Sequence, residues 1–313
     1  MSKKIKIIFV GTPDFGVLSL IELINDENFD IISVITQKDK KIGRKQELRA
    51  PIIKETALEY NLPVLQPKKI SNIAEKIKQL SPDLIIVIAY SQIIPKKILE
   101  IPEYGVLNVH ASLLPKYRGA SCIQAAIANG DKNTGVTIMQ MDQNLDTGPI
   151  LAQKKIEIKN TDTSEILFNK LSRLGAEILI PTIKNYIKNK IKPIPQDDSI
   201  ANYVNILKKS DGHINWNKAA KEQERFIRAM HPWPGSFGKL ETKNQTIKII
   251  EVEHEPILIN KHKSGTIFLD NNKLFIQCAK NSLEIKKLQL SGKKIMTDKE
   301  FINGYSKSNF LLK

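Results

Sequence analysis

The chain has 313 residues, 41 % of them hydrophobic and 26 % charged, with 48 Lys and Arg against 33 Asp and Glu for a formal net charge of +15. These are the proportions of a soluble globular protein, and the length provides for one large or two moderate domains, each able to bury its own core. No apolar run approaches the ~18–20 residues of a transmembrane helix. The N-terminal apolar stretch is broken by Gly11 and Pro13 too soon for a secretory signal, and Cys122 and Cys278 lie far apart without metal or disulfide spacing. A cytoplasmic protein with no metal and no membrane attachment is expected.

In chain order, residues 4–11 (KIKIIFVG) read as a buried parallel strand, a short Ile/Val-rich run ended by glycine. Asp14 stands where it can cap the next helix, whose Val17, Leu18, Ile21 and Ile24 recur at helical spacing. Further strands are expected at 31–36, 83–89, 106–110 and 136–141, with helical patterns at 51–60, 70–80 and 121–129 between them and a longer one at 163–189. Strands alternating with helices define a doubly wound, Rossmann-like α/β sheet. The texture then changes. Residues 190–198 (KIKPIPQDD) are polar with two prolines and read as a linker. After a short helix near 217–230, apolar bursts at 246–253, 265–269, 273–278 and 283–290 alternate with turns, as in a small OB-like β-barrel. The expected division is a catalytic domain over 1–189, a linker over 190–207 and a second domain over 208–313.

Charge is unevenly spread. Residues 208–313 hold 20 Lys and Arg against 11 Asp and Glu, whereas 1–207 hold 28 against 22. Lysine can reflect genome composition, but an excess concentrated in one domain is also the footprint of a polyanionic partner.

The first strand ends in Gly11-Thr12-Pro13-Asp14-Phe15-Gly16, followed by Val17-Leu18 where a Walker loop requires Lys and Ser/Thr. It is not G-x-G-x-x-G either, and Pro13 removes an amide that a pyrophosphate loop would use. A tight strand-to-helix turn is the plain reading, which argues against a kinase or a nicotinamide dehydrogenase. Ligands of such sheets still gather at the carboxyl ends of the strands.

The chemistry-bearing residues lie there. In Leu107-Asn108-Val109-His110, alternation places Asn108 and His110 on one face. Ser112-Leu113-Leu114-Pro115 and Tyr117-Arg118-Gly119 follow, and Leu145-Asp146-Thr147-Gly148 comes after the next strand. An Asn amide and an imidazole can stabilise a tetrahedral oxyanion and move protons, and Asp146 can hold the histidine tautomer, which suits acyl transfer to an amine. Each residue also has a structural use: His110 as a satisfied strand-end side chain, Asp146 as a turn former, Asn108 as a partner for backbone.

The run from Asn108 to Gly119, followed by Thr134-Gly135-Val136-Thr137 and Leu145-Asp146-Thr147-Gly148, resembles the folate-dependent formyltransferase family. The likeness is collinear from about residue 5 to 300, taking in Phe9-Val10-Gly11-Thr12-Pro13, Leu62-Pro63-Val64-Leu65-Gln66-Pro67 and Arg228-Ala229-Met230 with Pro232-Trp233-Pro234-Gly235. It implies that Asn108, His110 and Asp146 are catalytic and that Ser112, Leu113, Leu114 and Pro115 line the site of 10-formyltetrahydrofolate, with Ile88–Tyr90 and Gln140–Asp142 as weaker candidates. It implies as acceptor the α-amine of methionyl-initiator tRNA, an RNA partner rather than DNA. The matching basic loop over 37–49 would reach the acceptor end of that RNA through Arg44, with Lys41 and Lys45 beside it, while the basic second domain meets phosphates. Trp233 reads as a core or domain-packing residue rather than a base-stacking platform. Ser121-Cys122 departs from the family's small residues and proline at the start of the next helix, and a nucleophilic role for Cys122 has no motif-linked histidine behind it.

Three rivals remain open at this stage: a formyltransferase for a sugar-nucleotide amine, a folate dehydrogenase module, and a non-catalytic RNA-binding protein on the same scaffold. The basic loop and barrel favour tRNA over a sugar nucleotide. The chain lacks the long nicotinamide-dependent domain and the cysteine centre that the second needs, and the intact Asn-His-Asp set argues against the third.

Overall fold

The computed structural model describes residues 3–43, 45–241, 245–305 and 310–312. It divides into two compact units. The first comprises 1–122, 134–156 and 168–204; the second comprises 123–133, 157–167 and 205–313. Among the described residues no helix is long and apolar enough to cross a membrane.

In the first unit β1 (Ile5–Gly11), β2 (Phe29–Ile35), the hairpin strands β3 (Lys40–Ile42) and β4 (Glu47–Arg49), β5 (Val64–Leu65), β6 (Leu84–Ile88) and β7 (Val106–His110) follow one another. They lead to β8 (Arg118–Gly119), β9 (Asn133–Gln140), β10 (Ile150–Glu157) and β11 (Tyr203–Val204). The main sheet runs β10-β9-β7-β6-β1-β2-β5. β5, β2, β1, β6 and β7 are parallel, and β9 lies antiparallel to β7. The chain builds outward from β1 through β2 to β5, then returns to β1's other side with β6. This reversal opens a crevice at the carboxyl ends of β1 and β6, where doubly wound sheets bind their ligands. The apolar runs form strands because both faces are covered: Ile7 to Val10 and Leu84 to Ile88 are all buried.

Helices α1 (Val17–Asn25), α2 (Ile52–Glu59), α3 (Ala74–Leu80), α4 (Lys96–Leu99), α5 (Cys122–Ala128) and α6 (Ser164–Ile187) fall where helical spacing placed them, apart from the short α4. Asp14 is not the cap of α1: it lies in a 3-10 turn over Asp14–Gly16, and Gly16 takes the N-cap position. β10 carries no strand expectation. Its alternate residues Gln153, Lys155 and Glu157 are exposed, the dress of a polar edge strand. The basic segment 37–49 is a β-hairpin rather than a loose loop, with Lys41 paired to Leu48 and both Lys41 and Lys45 exposed. Its base is fixed by Asp39, whose carboxylate accepts from Lys54 Nζ (2.8 Å) and Gln66 Nε2 (2.7 Å). The hydrogen bonds from Lys54 and Gln66 hold the Asp39 carboxyl below its usual range. Arg44 lies outside the described residues.

The segment 190–204 is not a spacer. Ile194 bridges Ile150, and β11 pairs in parallel with β8, so the chain is built into the first unit as far as Val204.

In the second unit α7 (Ala220–Ala229) precedes β12 (Ser236–Lys239), β13 (Thr246–Val252), β14 (Thr266–Asp270), β15 (Lys273–Gln277), β16 (Ser282–Leu290), β17 (Met296–Thr297), α8 (Asp298–Tyr305) and β18 (Phe310–Leu311). The order β12-β13-β16-β15-β14-β18 is antiparallel, and a bridge between Leu240 and Leu312 returns the last strand to the first. The sheet thus closes on itself as the OB-like expectation requires, around Trp216, Ile247, Ile249, Ile276, Ile285 and Leu288. Against the core reading, Trp233 is 53 % exposed as a residue.

Cys278 lies in this core, and burial pushes its thiol up to about 12. In a Cys122→Ser background, Cys278 is therefore expected to stay unmodified by a thiol reagent at about pH 8 until the protein is unfolded. Release of a full equivalent from the native protein would contradict the burial.

Candidate active site

Asn108 and His110 do share a face of β7, and register sets their neighbours. Asn108 lies between Val87 of β6 and Met139 of β9, and His110 lies beside Thr137. His110 is buried, with Nε2 2.9 Å from the carbonyl oxygen of Tyr117. A carbonyl only accepts, so Nε2 carries the proton and donates to it. Nδ1 faces Asp146 Oδ2 at 3.7 Å, too long for a hydrogen bond but within ion-pair range. The tautomer is thus set by Tyr117, not by Asp146 as expected. The Asp146 carboxylate is itself aimed by the Gly119 N–H, which donates to Oδ2 (2.7 Å).

The loop after β7 is a frame. Ser112 is wholly buried and its hydroxyl donates to the Lys116 carbonyl (2.7 Å). The Thr137 hydroxyl donates to the Ser112 carbonyl (2.7 Å) and accepts from the Leu114 N–H (3.1 Å) and from Gln153 Nε2 (2.9 Å). Ser112 and Leu114 therefore hold the loop from inside, while Leu113 and Pro115 are its half-buried members. Of the weaker candidates, Asp142 accepts from the Thr147 hydroxyl (2.7 Å) and the Asn144 N–H (3.0 Å), shaping the turn that carries Asp146.

Residues with no assigned role in the sequence supply the support. Arg118 is 2 % exposed, and its guanidinium donates to Gln196 Oε1 (2.9 and 3.1 Å), Asp198 Oδ1 (2.7 Å) and the Tyr203 hydroxyl (3.1 Å). Gln196 then donates through Nε2 to the carbonyls of Asp146 (2.9 Å) and Gly148 (2.7 Å). One carboxamide thereby ties the Arg118 loop to the Asp146 turn. Asn202 completes the clamp, accepting from the Tyr117 N–H at its side chain and from the Arg118 N–H at its carbonyl (2.9 Å). Gly119 has φ +102°, and a Cβ there would stand 2.3 Å from the Val204 carbonyl oxygen, so only glycine lets β11 close on β8.

Four non-glycine residues around the strand ends have left-handed backbone: Ala89 (φ 50°), Ser91 (φ 63°), Tyr117 (φ 60°) and Asp146 (φ 54°). Such conformations cost on the order of 1–3 kcal/mol each where the residue is not suited to them, and they gather at sites whose geometry is over-determined. Four side-chain oxygens are buried without a hydrogen-bond partner at the same edge: Thr12 Oγ1 after β1, Thr36 Oγ1 after β2, the Tyr90 hydroxyl after β6 and Asn108 Oδ1 on β7. Burial pushes the Tyr90 phenol up, keeping it a donor. Unspent polar atoms at these strand ends suit a heterocycle with many donors and acceptors. Among the described residues no three His, Cys, Asp or Glu side chains gather as a metal ion would need.

A strand-end Asn-His-Asp set on a doubly wound sheet, followed by an antiparallel barrel, is the plan of a group-transfer enzyme, and the chain belongs to the formyl transferase family. Residues 3–183 match the model of the formyl transferase domain and 206–306 that of the formyl transferase C-terminal domain. The chain is 48 % identical over 300 residues to the methionyl-tRNA formyltransferase of Thermodesulfovibrio yellowstonii, covering 95 % of each protein. It is 42 % identical over 310 residues to that of Pseudoalteromonas translucida, covering 98 % of this chain and 96 % of the other. Among solved structures, the N-formyltransferase of Helicobacter canadensis in complex with folinic acid and dTDP-3-aminofucose is similar at a TM-score of 0.69. That likeness covers 90 % of this chain and 98 % of the other at 21 % identity, and establishes the fold alone.

Proposed function

We propose that the chain transfers the formyl group of 10-formyltetrahydrofolate to the α-amine of methionyl-initiator tRNA, in the cytoplasm, for the initiation of translation. The observation that carries this reading is the near-end-to-end similarity, through both domains, to relatives named as methionyl-tRNA formyltransferases. Asn108, His110 and Asp146 are the catalytic residues of the proposal. The loop of Ser112, Leu113, Leu114 and Pro115, with Tyr90, holds the folate, and Lys41, Lys45 and Arg44 meet the tRNA.

A free α-amine has a pKa of about 7.7–8.0, so a useful fraction is neutral near physiological pH without activation. Its nitrogen forms a bond to the formyl carbon while the carbonyl π electrons move to oxygen. The Asn108 carboxamide, whose buried oxygen has no partner, is free to turn an N–H toward that oxyanion. His110 spends its Nε2 proton on Tyr117 and acts with Asp146 as an imidazole–carboxylate unit that takes the proton from the new ammonium. As the bond from carbon to the folate nitrogen breaks, that nitrogen receives the proton and tetrahydrofolate leaves.

The test is transfer of a labelled formyl group from 10-formyltetrahydrofolate, comparing charged initiator methionyl-tRNA with UDP-linked amino-sugars. Label is expected in the tRNA alone. Label in the sugar would keep the catalytic residues and overturn the acceptor, and none in either would overturn the enzymatic reading.

A further inference from the structure

We propose that the indole of Trp233 is a stacking platform for a base of the bound tRNA. This rests on the tRNA reading above and adds to it a residue contact that charge does not supply.

A singly exposed apolar side chain is ordinary on a protein surface, so exposure is only the start. What sets Trp233 apart is the framework beneath it. The turn that presents it runs from Met230 to Gly235 and is closed by the Gly235 N–H donating to the Met230 carbonyl (2.9 Å). Ser164, buried, donates its hydroxyl to the His231 carbonyl. Arg228, at the end of α7, donates to the buried carboxylate of Glu224 and to the Asp162 carbonyl (2.7 Å). On the far side Gly212 passes so close that a Cβ there would lie 1.9 Å from the Gly235 carbonyl oxygen. Pro234 is buried, yet Trp233 beside it is 53 % exposed. Buried charges and close backbone contacts thus fix a turn whose largest side chain is left in solvent.

Folding has not used that ring: the unit's other tryptophan, Trp216, is 3 % exposed and fills the barrel core. A rigid aromatic face on the more basic part of a basic chain is the pairing that single-stranded and distorted nucleic acid selects. Cations hold the phosphates, and a ring meets a base with little entropy to lose. A protein partner or a second copy would use the same ring without needing the excess of Lys and Arg over residues 208–313.

The two tryptophans make the test direct. Iodide should quench Trp233 in the free protein and leave Trp216 dark to it. Saturating initiator tRNA should quench Trp233 emission and shield it from iodide, and Trp233→Phe should abolish both changes. Trp233→Ala should weaken tRNA binding by about tenfold, with the KM for the folate substrate and the melting temperature unchanged. If tRNA binds while Trp233 emission stays constant and Trp233→Ala binds normally, the platform is wrong and the proposed function stands. If no tRNA binds at all, the acceptor reading falls and the platform with it. Shielding that grows with protein concentration in the absence of tRNA would assign the ring to self-association and overturn the proposal.

Discussion

Asp146→Asn is expected to lower the turnover number for formyl transfer by about 10²–10⁴-fold, the range for loss of a positioned acid–base group. The substitution isolates charge from shape. Asparagine keeps an oxygen to accept the Gly119 N–H, and it tolerates the left-handed backbone that residue 146 adopts. What disappears is the negative charge 3.7 Å from His110 Nδ1. The melting temperature and the affinity for tRNA should therefore hold while turnover falls. Steady-state kinetics beside filter binding and a thermal melt separate these quantities, and near-normal turnover would remove Asp146 from the chemistry. Asp146→Ala makes a useful contrast, because it also leaves the Gly119 N–H without its acceptor and should lower the melting temperature as well.

Arg118→Met is expected to destabilise the protein by about 2–4 kcal/mol and to reduce turnover at temperatures where it remains folded. The contact with Asp198 contributes little of this, since that carboxylate is 81 % exposed. The larger loss is at Gln196, whose carbonyl oxygen accepts two guanidinium donors and whose amide group holds the Asp146 and Gly148 carbonyls. With the guanidinium gone, Gln196 can turn, and the Asp146 turn loses its anchor. Arg118→Lys should not restore the wild type, because one ammonium cannot reach Gln196 and Tyr203 with the geometry of a planar fork. Differential scanning calorimetry and initial rates check the two effects. A variant with unchanged melting and turnover would show that the clamp does nothing for the site.

The candidate catalytic residues were legible because they sit where a strand ends. Asn108 and His110 follow from alternation in a buried run, and Asp146 from a turn after the next long strand. The support was not legible. Gln196, Asn202 and Tyr203 lie 48 to 85 residues from the partners they hold, in a proline-bearing polar stretch with the composition of a spacer. Local periodicity carries no trace of such pairing. The left-handed backbone at Ala89 and Tyr117 was equally silent, since neither position holds the glycine that would announce it. Trp233 was misread because a lone aromatic between prolines has no periodicity to tell a core face from a surface one, and hydrophobicity alone favours the core.

The placement of β11 bears on how such enzymes are assembled from parts. The two family-matched regions end at residue 183 and resume at 206, so the chain carrying Gln196, Asp198, Asn202 and Tyr203 falls in neither. A catalytic half transplanted between genes at the first of those borders would arrive with Arg118 buried opposite nothing and Gly119 facing an empty edge. The first unit is therefore longer than its recognisable part and runs on to Val204. A break just beyond Val204 would keep the Arg118 clamp and the Asp146 turn together, yet it would still part residues 123–133 and 157–167 from the remainder of the second unit.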